Sequence, residues 1–446
     1  MKIINIVPGF GGTFYCGNCL RDSGFVQSLK LMGHEAHTLP IYLPLFADHD
    51  PNDQDMPVFY GAVNIYVKQA LKLKKLPQWL TRLLDSSPVL RYAASKAGST
   101  RATGLGDMTI SMLRGHEGYQ QEELQQLIDY LRDHEKPDVV HLSNALLLGL
   151  AYKIKSELGI PVVCSLQDED VWVDVMNEPY RSRVWQLMAE KAADVDAFIA
   201  VSDYFAGLMR EKMQIPDEKL HTVHVGIDPD AYTYHEPAPD APVIGYLSRL
   251  HEEIGLGVLV DAFILLKKNP AFTNARLRLT GGMTADDKRF IRKQIQKLRK
   301  HGFHHDVEIV EDFRKSVLEK FFNGLTLLSV PVLKGEAFGL YQLESMASGI
   351  PVVQPALGAF PEVVKVSGGG WIYEPNTPEA LAEKLAEALS VREKLMTRSR
   401  NGRKAVEEKF HFNVLTRNVV AIYKDIIRKN RRSTGIEKPA AEAVNR

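Results

Sequence analysis

Gly335-Glu336-Ala337-Phe338-Gly339-Leu340-Tyr341-Gln342-Leu343-Glu344-Ser345-Met346-Ala347-Ser348-Gly349-Ile350-Pro351-Val352-Val353 reads as loop, helix, stop and strand. Gly349 ends a helix and Pro351 keeps it from resuming, so the valine pair opens a strand. Counting back from that stop places the helix start near Phe338 or Gly339. On one continuous helix, carboxylates eight residues apart would sit about 80° out of register and about 12 Å apart along the axis. They are better placed separately, Glu336 in the loop before the helix and Glu344 one to two turns inside it. The amides of Phe338, Gly339 and Leu340 are then unsatisfied at the helix start, and with the helix dipole they make an anion site able to hold a diphosphate.

A helix that runs straight into a strand is one unit of an alternation that continues in both directions. Up to residue 225, short apolar runs at 2–7, 35–39, 63–67, 139–142, 161–164 and 197–201 read as strands, each bounded by Pro, Gly or charge. Between them lie helical patterns such as 122–132, where Leu124, Leu127, Ile128 and Leu131 keep helical spacing. Continuous rather than alternating apolar strands imply burial on both faces, which is the pattern of a parallel, doubly wound sheet. Pro229, Pro237, Pro239 and Pro242 then stiffen a linker at 229–242. A second alternation follows, with strands at 243–247, 277–280, 307–310, 325–330, 352–354 and 370–373. The expected fold class is α/β: two Rossmann-like domains, 1–228 and 243–411, facing across a cleft. Ligands of such sheets bind beyond the carboxyl ends of the strands. A tail at 430–446 without periodicity is expected to be disordered.

Composition narrows the function. The 446 residues carry 55 Lys+Arg against 55 Asp+Glu, so no basic surplus supports binding of nucleic acid by counterion release. Met1 to Pro8 holds too short an apolar run for a signal peptide, and no uncharged stretch is long enough to span a membrane. Three cysteines cannot form a disulfide framework of the secreted kind, and their sparse use fits a reducing, cytoplasmic setting.

Glu336 and Glu344 with Phe338-Gly339-Leu340 between them, followed by Ala347-x-Gly349-x-Pro351-Val352-Val353 and Pro361-Glu362-Val363-Val364, resemble the donor-binding signature of glycosyltransferase family 4. The resemblance implies the two-domain GT-B fold, a nucleotide-diphosphate sugar as donor (UDP-, GDP- or ADP-linked), no further cofactor, and retention of anomeric configuration. By the same resemblance Glu336 contacts the transferred sugar, Phe338, Gly339 and Leu340 contact sugar and phosphates, and Glu344 binds the ribose hydroxyls. The acceptor would be a glycan, a lipid-linked sugar or a small molecule held by the first domain. A C-terminal helix at 412–429 would return to that domain. Ala193 to Ser202 and Val225-Gly226-Ile227-Asp228 look like the end of the family's first domain, and Gly11, Gly12 and Thr13 match its donor-contacting glycine loop.

Two positions depart from the family. Arg249 stands where an arginine faces the diphosphate, but the lysine expected five residues later is Ile254. Such a stabiliser is typically worth roughly 10² to 10³ in rate, and Lys334 is a candidate substitute. Gln167 and Asp168 occupy a place where the family often has Thr-x-His-Asp, and a glutamine can orient a hydroxyl but cannot take its proton. These departures keep open a sugar-nucleotide-binding protein without transfer activity; an epimerase or hydrolase on the same fold is the other alternative.

Other motifs carry less. Asp168-Glu169-Asp170 and Asp48-His49-Asp50 spell Asp-x-Asp, yet the family needs no metal and none is expected. Cys16 and Cys19 form neither a full zinc site nor a thioredoxin context and read as loop or helix-start residues. The basic, leucine-rich segment 68–82 fits a helix packed on its own domain, with a peripheral membrane contact as the second reading. Gly115-His116-Glu117-Gly118-Tyr119 has no chemical reading.

Overall fold

The structure is a computed structural model that describes residues 1–9, 15, 17–42, 59, 104–238, 240–313 and 315–433. Gly11, Gly12, Thr13, Cys16, Asp48, Asp50, the strand expected at 63–67, the basic segment 68–82 and the tail from 434 lie outside the described residues.

Within them, twelve strands form two parallel six-stranded sheets. The first contains β1 (Lys2–Val7), β2 (Glu35–Pro40), β3 (Val139–Leu142), β4 (Val162–Leu166), β5 (Ala197–Ala200) and β6 (Leu220–Thr222), in the order β2-β1-β3-β4-β5-β6. The second contains β7 (Val243–Leu247), β8 (Arg276–Thr280), β9 (Val307–Ile309), β10 (Leu327–Leu328), β11 (Val352–Pro355) and β12 (Gly370–Tyr373), in the order β12-β11-β10-β7-β8-β9. Central strands are apolar on both faces: Ile3, Ile4 and Ile6 of β1 and Val139, Val140 and Leu142 of β3 are fully buried. β6 was invisible in the sequence because Leu220-His221-Thr222 is an edge strand with partly exposed residues. β10 is shorter than the expected 325–330, although Thr326 and Ser329 still donate to Val243 and Gly245 of β7. The helix expected at 122–132 runs Gln121–Tyr130 and gives way to a wider turn over Leu131–Glu135.

Strand order decides where a ligand can bind. β7 lies between β8 and β10, so the chain leaves β7 to one side and later returns on the other. The loops after β7 and β10 diverge there and open a crevice at the carboxyl ends of the strands. The first carries Arg249 and Ile254, and the second carries Lys334 and Glu336. The loops touch backbone to backbone at Gly255 (φ +78°), where a Cβ would lie 1.7 Å from the Pro331 carbonyl oxygen. β1 plays the matching part in the first sheet, between β2 and β3.

The helix Phe412–Ser433 extends past residue 429, so the first residues of the expected tail are helical. It packs on the first sheet, where Val419, Val420, Tyr423 and Ile426 join Ile3, Val26, Leu29 and Val139 in one apolar cluster. No helix among the described residues is long and apolar enough to cross a membrane. One polar chain crosses the helix–sheet contact: the Tyr423 hydroxyl bonds His141 Nδ1, and His141 Nε2 bonds Ser165 Oγ at 2.7 Å. Burial, helped by the Arg21 charge, lowers the His141 pKa to about 3, so its ring stays neutral. Tyr423→Phe leaves a buried ring nitrogen unpaired and should cost about 1–3 kcal/mol in urea unfolding. Because the folded pKa lies below the ordinary 6.5, His141 should contribute stability above pH 6.5 that is lost as the pH falls toward 3.

Candidate functional site

Glu336 stands in the loop after β10, as the spacing predicted. The helix that follows begins later than expected, at Tyr341, because Gly339 adopts φ +81° and leaves the helical region; it covers Tyr341–Ala347. The amides of Phe338, Gly339 and Leu340 donate to no backbone carbonyl among the described residues. Tyr341 folds back so that its hydroxyl donates to Glu336 Oε2 at 2.5 Å. The Glu336 carbonyl accepts from Ala359 N–H at 3.0 Å. Gly358, at φ +57°, lies so close that a Cβ would sit 2.3 Å from the Glu336 nitrogen. Gly358 was not singled out in the sequence; its place just before the Pro361-Glu362 motif is the signal that could have found it. Burial and then the charge of Asp168 push the Glu336 pKa up to about 8, with Tyr341 opposing.

Asp168 meets Glu336 from the first sheet. It ends the loop after β4 at φ +56°, a conformation that aspartate tolerates better than most side chains. Asn18, in the helix Gly17–Leu31, donates to Asp168 Oδ2 at 2.8 Å, while Oδ1 is buried without a partner among the described residues. Burial raises the Asp168 pKa, and Asn18, the Ala337 amide and the Arg21 charge oppose the rise. Asn18 was missed in the sequence because no local motif marks it; only the fold brings it to Asp168. Cys19, its neighbour, is disulfide-bonded, so the plain helix-start reading of that cysteine was incomplete. Gln167 is buried, donates from Nε2 to the Ser143 carbonyl at 2.7 Å, and leaves Oε1 unpartnered among the described residues. The Asp168-Glu169-Asp170 triplet does not act as a unit, because Glu169 turns inward to accept the amides of Ala145 and Gln167, both at 2.8 Å.

The other expected residues divide into held and free. Glu344 is 1% exposed and both its oxygens are taken, by the hydroxyls of Tyr15 at 2.5 Å and Tyr232 at 2.7 Å. No local motif marks either tyrosine: Tyr15 precedes the helix Gly17–Leu31, and Tyr232 lies between β6 and β7. Arg249 is also held: Nε and Nη2 bond the two oxygens of Asp287 at 2.9 and 3.1 Å, and Nη2 bonds Thr284 Oγ1 at 2.9 Å. Its charge is therefore matched before any ligand arrives. Ile254 is half-buried against the core, whereas Lys334 is exposed and makes no ion pair among the described residues.

The two sheets meet across the crevice through specific contacts. Ser202 Oγ donates to the Ala337 carbonyl at 2.7 Å, next to Glu336. Glu362 accepts the amides of Asp203 and Tyr204 at 3.0 and 3.2 Å, at the start of the helix Asp203–Met213, and bonds His224 Nε2 at 2.6 Å. The Tyr15 amide donates to the Gly281 carbonyl at 2.9 Å. Glu362 belongs to the signature in the sequence, but its partners lie in the other domain.

Two facing parallel sheets with this crevice define the GT-B architecture. The chain matches the family described as glycosyltransferase family 4 over residues 111–231 and that described as glycosyl transferases group 1 over residues 234–405. The protein belongs to the group 1, family 4 glycosyltransferases. WcaL of Salmonella typhimurium, named for colanic acid biosynthesis, is 28% identical over 244 residues, 52% of this chain. CapM of Staphylococcus aureus, a capsular polysaccharide biosynthesis glycosyltransferase, is 24% identical over 225 residues, 50% of this chain. The chain spans little more than half the length of these curated relatives, 57% and 54%. Among solved structures, sucrose-phosphate synthase of Thermosynechococcus elongatus superposes with a TM-score of 0.68 at 16% identity, covering 96% of this chain and 100% of that one. Anabaena HepE, solved with UDP and glucose, gives 0.65 at 15%, covering 95% and 99%.

Glu362→Ala removes the carboxylate from two helix-start amides and leaves His224 without its partner, interactions worth about 1–3 kcal/mol. Amide exchange at Asp203 and Tyr204 should quicken about tenfold or more, and the solution radius of gyration should grow.

Proposed function

We propose that this protein transfers a hexosyl group from a nucleoside-diphosphate sugar to a hydroxyl of a glycan or lipid-linked acceptor, with retention of configuration. The observation that carries the reading is the loop 335–344, which sets the Glu336 carboxyl group, three amides without backbone partners and Glu344 at the switch point of the second sheet. The glycan-biosynthesis names of relatives and the UDP bound to a protein of the same fold support it. In this reading the diphosphate lies on the amides of Phe338, Gly339 and Leu340, Glu344 receives the ribose, and the transferred sugar meets Glu336. With a pKa of about 8, Glu336 is protonated at neutral pH and can donate a hydrogen bond to a sugar oxygen. The acceptor hydroxyl approaches from the side of Gln167 and Asp168. The bond from the anomeric carbon to the phosphate oxygen breaks as the bond to the acceptor oxygen forms on the same face, and the acceptor proton passes to the leaving phosphate. Closure of the sheets excludes water from that step.

The direct test is a screen of UDP-, GDP- and ADP-sugars for thermal stabilisation, followed by assay of nucleotide release. At 100 times its Kd a ligand should stabilise the fold by about 2.7 kcal/mol. A chain that no sugar nucleotide stabilises, and that releases no nucleotide, would overturn the proposal.

Since Arg249 is matched by Asp287, Lys334 is the lysine of these two loops, among the described residues, that is placed to meet the diphosphate. Lys334→Ala should lower kcat roughly 10² to 10³-fold while leaving the melting temperature unchanged. Arg249→Ala should instead lower the melting temperature, because it strands the buried Asp287 carboxylate.

Glu344 can receive a ribose only if a tyrosine lets go. Tyr15→Phe removes that competitor from the donor-free protein and should tighten binding of the free nucleotide about tenfold by calorimetry, the worth of one charge-assisted hydrogen bond. Glu344→Ala should weaken the same binding, whereas Glu336→Ala should mainly lower kcat.

A further inference from the structure

The wall that faces Glu336 has a chemistry of its own, and the inference drawn from it rests on the transferase reading. Its members come from the carboxyl end of β4. Gln167, 5% exposed, is turned by the bond from Nε2 to the Ser143 carbonyl so that Oε1 is left buried with no donor among the described residues. In the adjacent residue, Asn18 consumes Asp168 Oδ2 and leaves Oδ1 in the same condition. Two neighbouring residues therefore each present one unpaired acceptor atom. A buried acceptor left unpaired costs about 1–3 kcal/mol, so this arrangement persists where something else supplies the hydrogens.

Charge points the same way. Asp170 follows on the chain, and Glu336 faces Asp168 from the second sheet. Burial and the charge of Asp168 push Asp170 up to about 6 and Glu336 up to about 8. Arg21 is near enough to act on Asp168, but its guanidinium lies 2.9 Å from Asp22. A ligand here meets hydrogen-bond acceptors and negative charge.

We infer that Gln167 Oε1 and Asp168 Oδ1 form an acceptor subsite that takes a pair of sugar hydroxyls from an uncharged saccharide and rejects one carrying a phosphate or carboxylate next to the reacting hydroxyl. Each oxygen receives one O–H, which satisfies both orphaned atoms. An anionic substituent would bring a like charge against the Asp168 carboxylate without supplying a hydrogen, and juxtaposed like charges of this kind cost several kcal/mol.

Calorimetry on the full-length protein with saturating free nucleotide tests this, using methyl α-glucoside, methyl α-mannoside and methyl α-galactoside against glucose 6-phosphate, mannose 6-phosphate and methyl glucuronoside. The expected result is binding of at least one neutral glycoside, with its anionic counterpart at least tenfold weaker. Asp168→Asn, which retains a side chain of the same shape, should shrink that ratio severalfold, and Gln167→Leu should weaken the neutral sugar about tenfold. Equal or tighter binding of a phosphorylated or carboxylated sugar would overturn the inference, as would an unchanged ratio in Asp168→Asn. Nucleotide release is assayed in the same samples. Selective binding of neutral sugars by a protein that turns over no sugar nucleotide would defeat the transferase reading and leave the subsite standing. Preference for an anionic sugar in an active transferase would do the reverse.

Discussion

Two carboxyl groups, Asp168 from the first sheet and Glu336 from the second, are brought together in a place with little water, and the surrounding structure is arranged around that constraint. Ionised carboxylates resist burial and resist each other, so each must be supplied with donors or take up a proton. Glu336 follows the second route in part, with its pKa at about 8, and receives the Tyr341 hydroxyl. Asp168 receives the Asn18 amide. Neither is given a lysine or arginine as a direct partner among the described residues. Neutral donors stabilise a carboxylate without cancelling its field, which the proposed recognition of hydroxyls would use.

The same preference recurs at Glu344, whose two oxygens are met by Tyr15 and Tyr232. Burial and the charge of Glu344 hold both hydroxyls in their protonated form. A tyrosine hydroxyl is easily exchanged for another neutral O–H donor because the two are chemically alike. An arginine in either place would have made a bidentate pair, as Arg249 does with Asp287, and a pair of that kind is costly to break. The contrast separates the carboxylates of the crevice into those held by neutral, exchangeable partners and one held by a cation.

How much of this the sequence discloses follows from the range of the interactions. Strands buried on both faces announce themselves as apolar runs, and β7 and β12 match the expected spans residue for residue. The loop position of Glu336 follows from a glycine and a proline that stop the next helix. What local pattern cannot give is any contact assembled by topology. Asn18 lies 150 residues from Asp168, and Tyr15 lies 329 residues from Glu344. Arg249 could be aligned by motif, but its partner Asp287 could not, so its charge looked free. The helix start was placed too early because a glycine inside Phe338-Gly339-Leu340 is neutral in sequence and becomes decisive only when its φ is known. β6 escaped notice because an edge strand needs apolar residues on one face at most.

Glu362 shows how closely chemistry and closure are tied. It is read in sequence as part of a donor-binding signature, yet its carboxylate caps the first turn of a helix in the opposite domain and bonds His224 there. The segment that leads to it, Gly358-Ala359, grips the backbone of Glu336. Ser202, which caps the same helix of the first domain, also reaches the carbonyl of Ala337 beside Glu336. A displacement of the domains is therefore transmitted to Glu336 along two covalently short paths, one through Gly358 and one through Ala337. The Glu336–Asp168 proximity that adds to the rise in the Glu336 pKa exists only while these contacts hold, because the two residues share no secondary structure and lie on different sheets. Opening the seam would separate the carboxylates, relieve their repulsion and favour ionisation of Glu336. The protonation state of Glu336 is thus coupled by geometry to whether the cleft is closed.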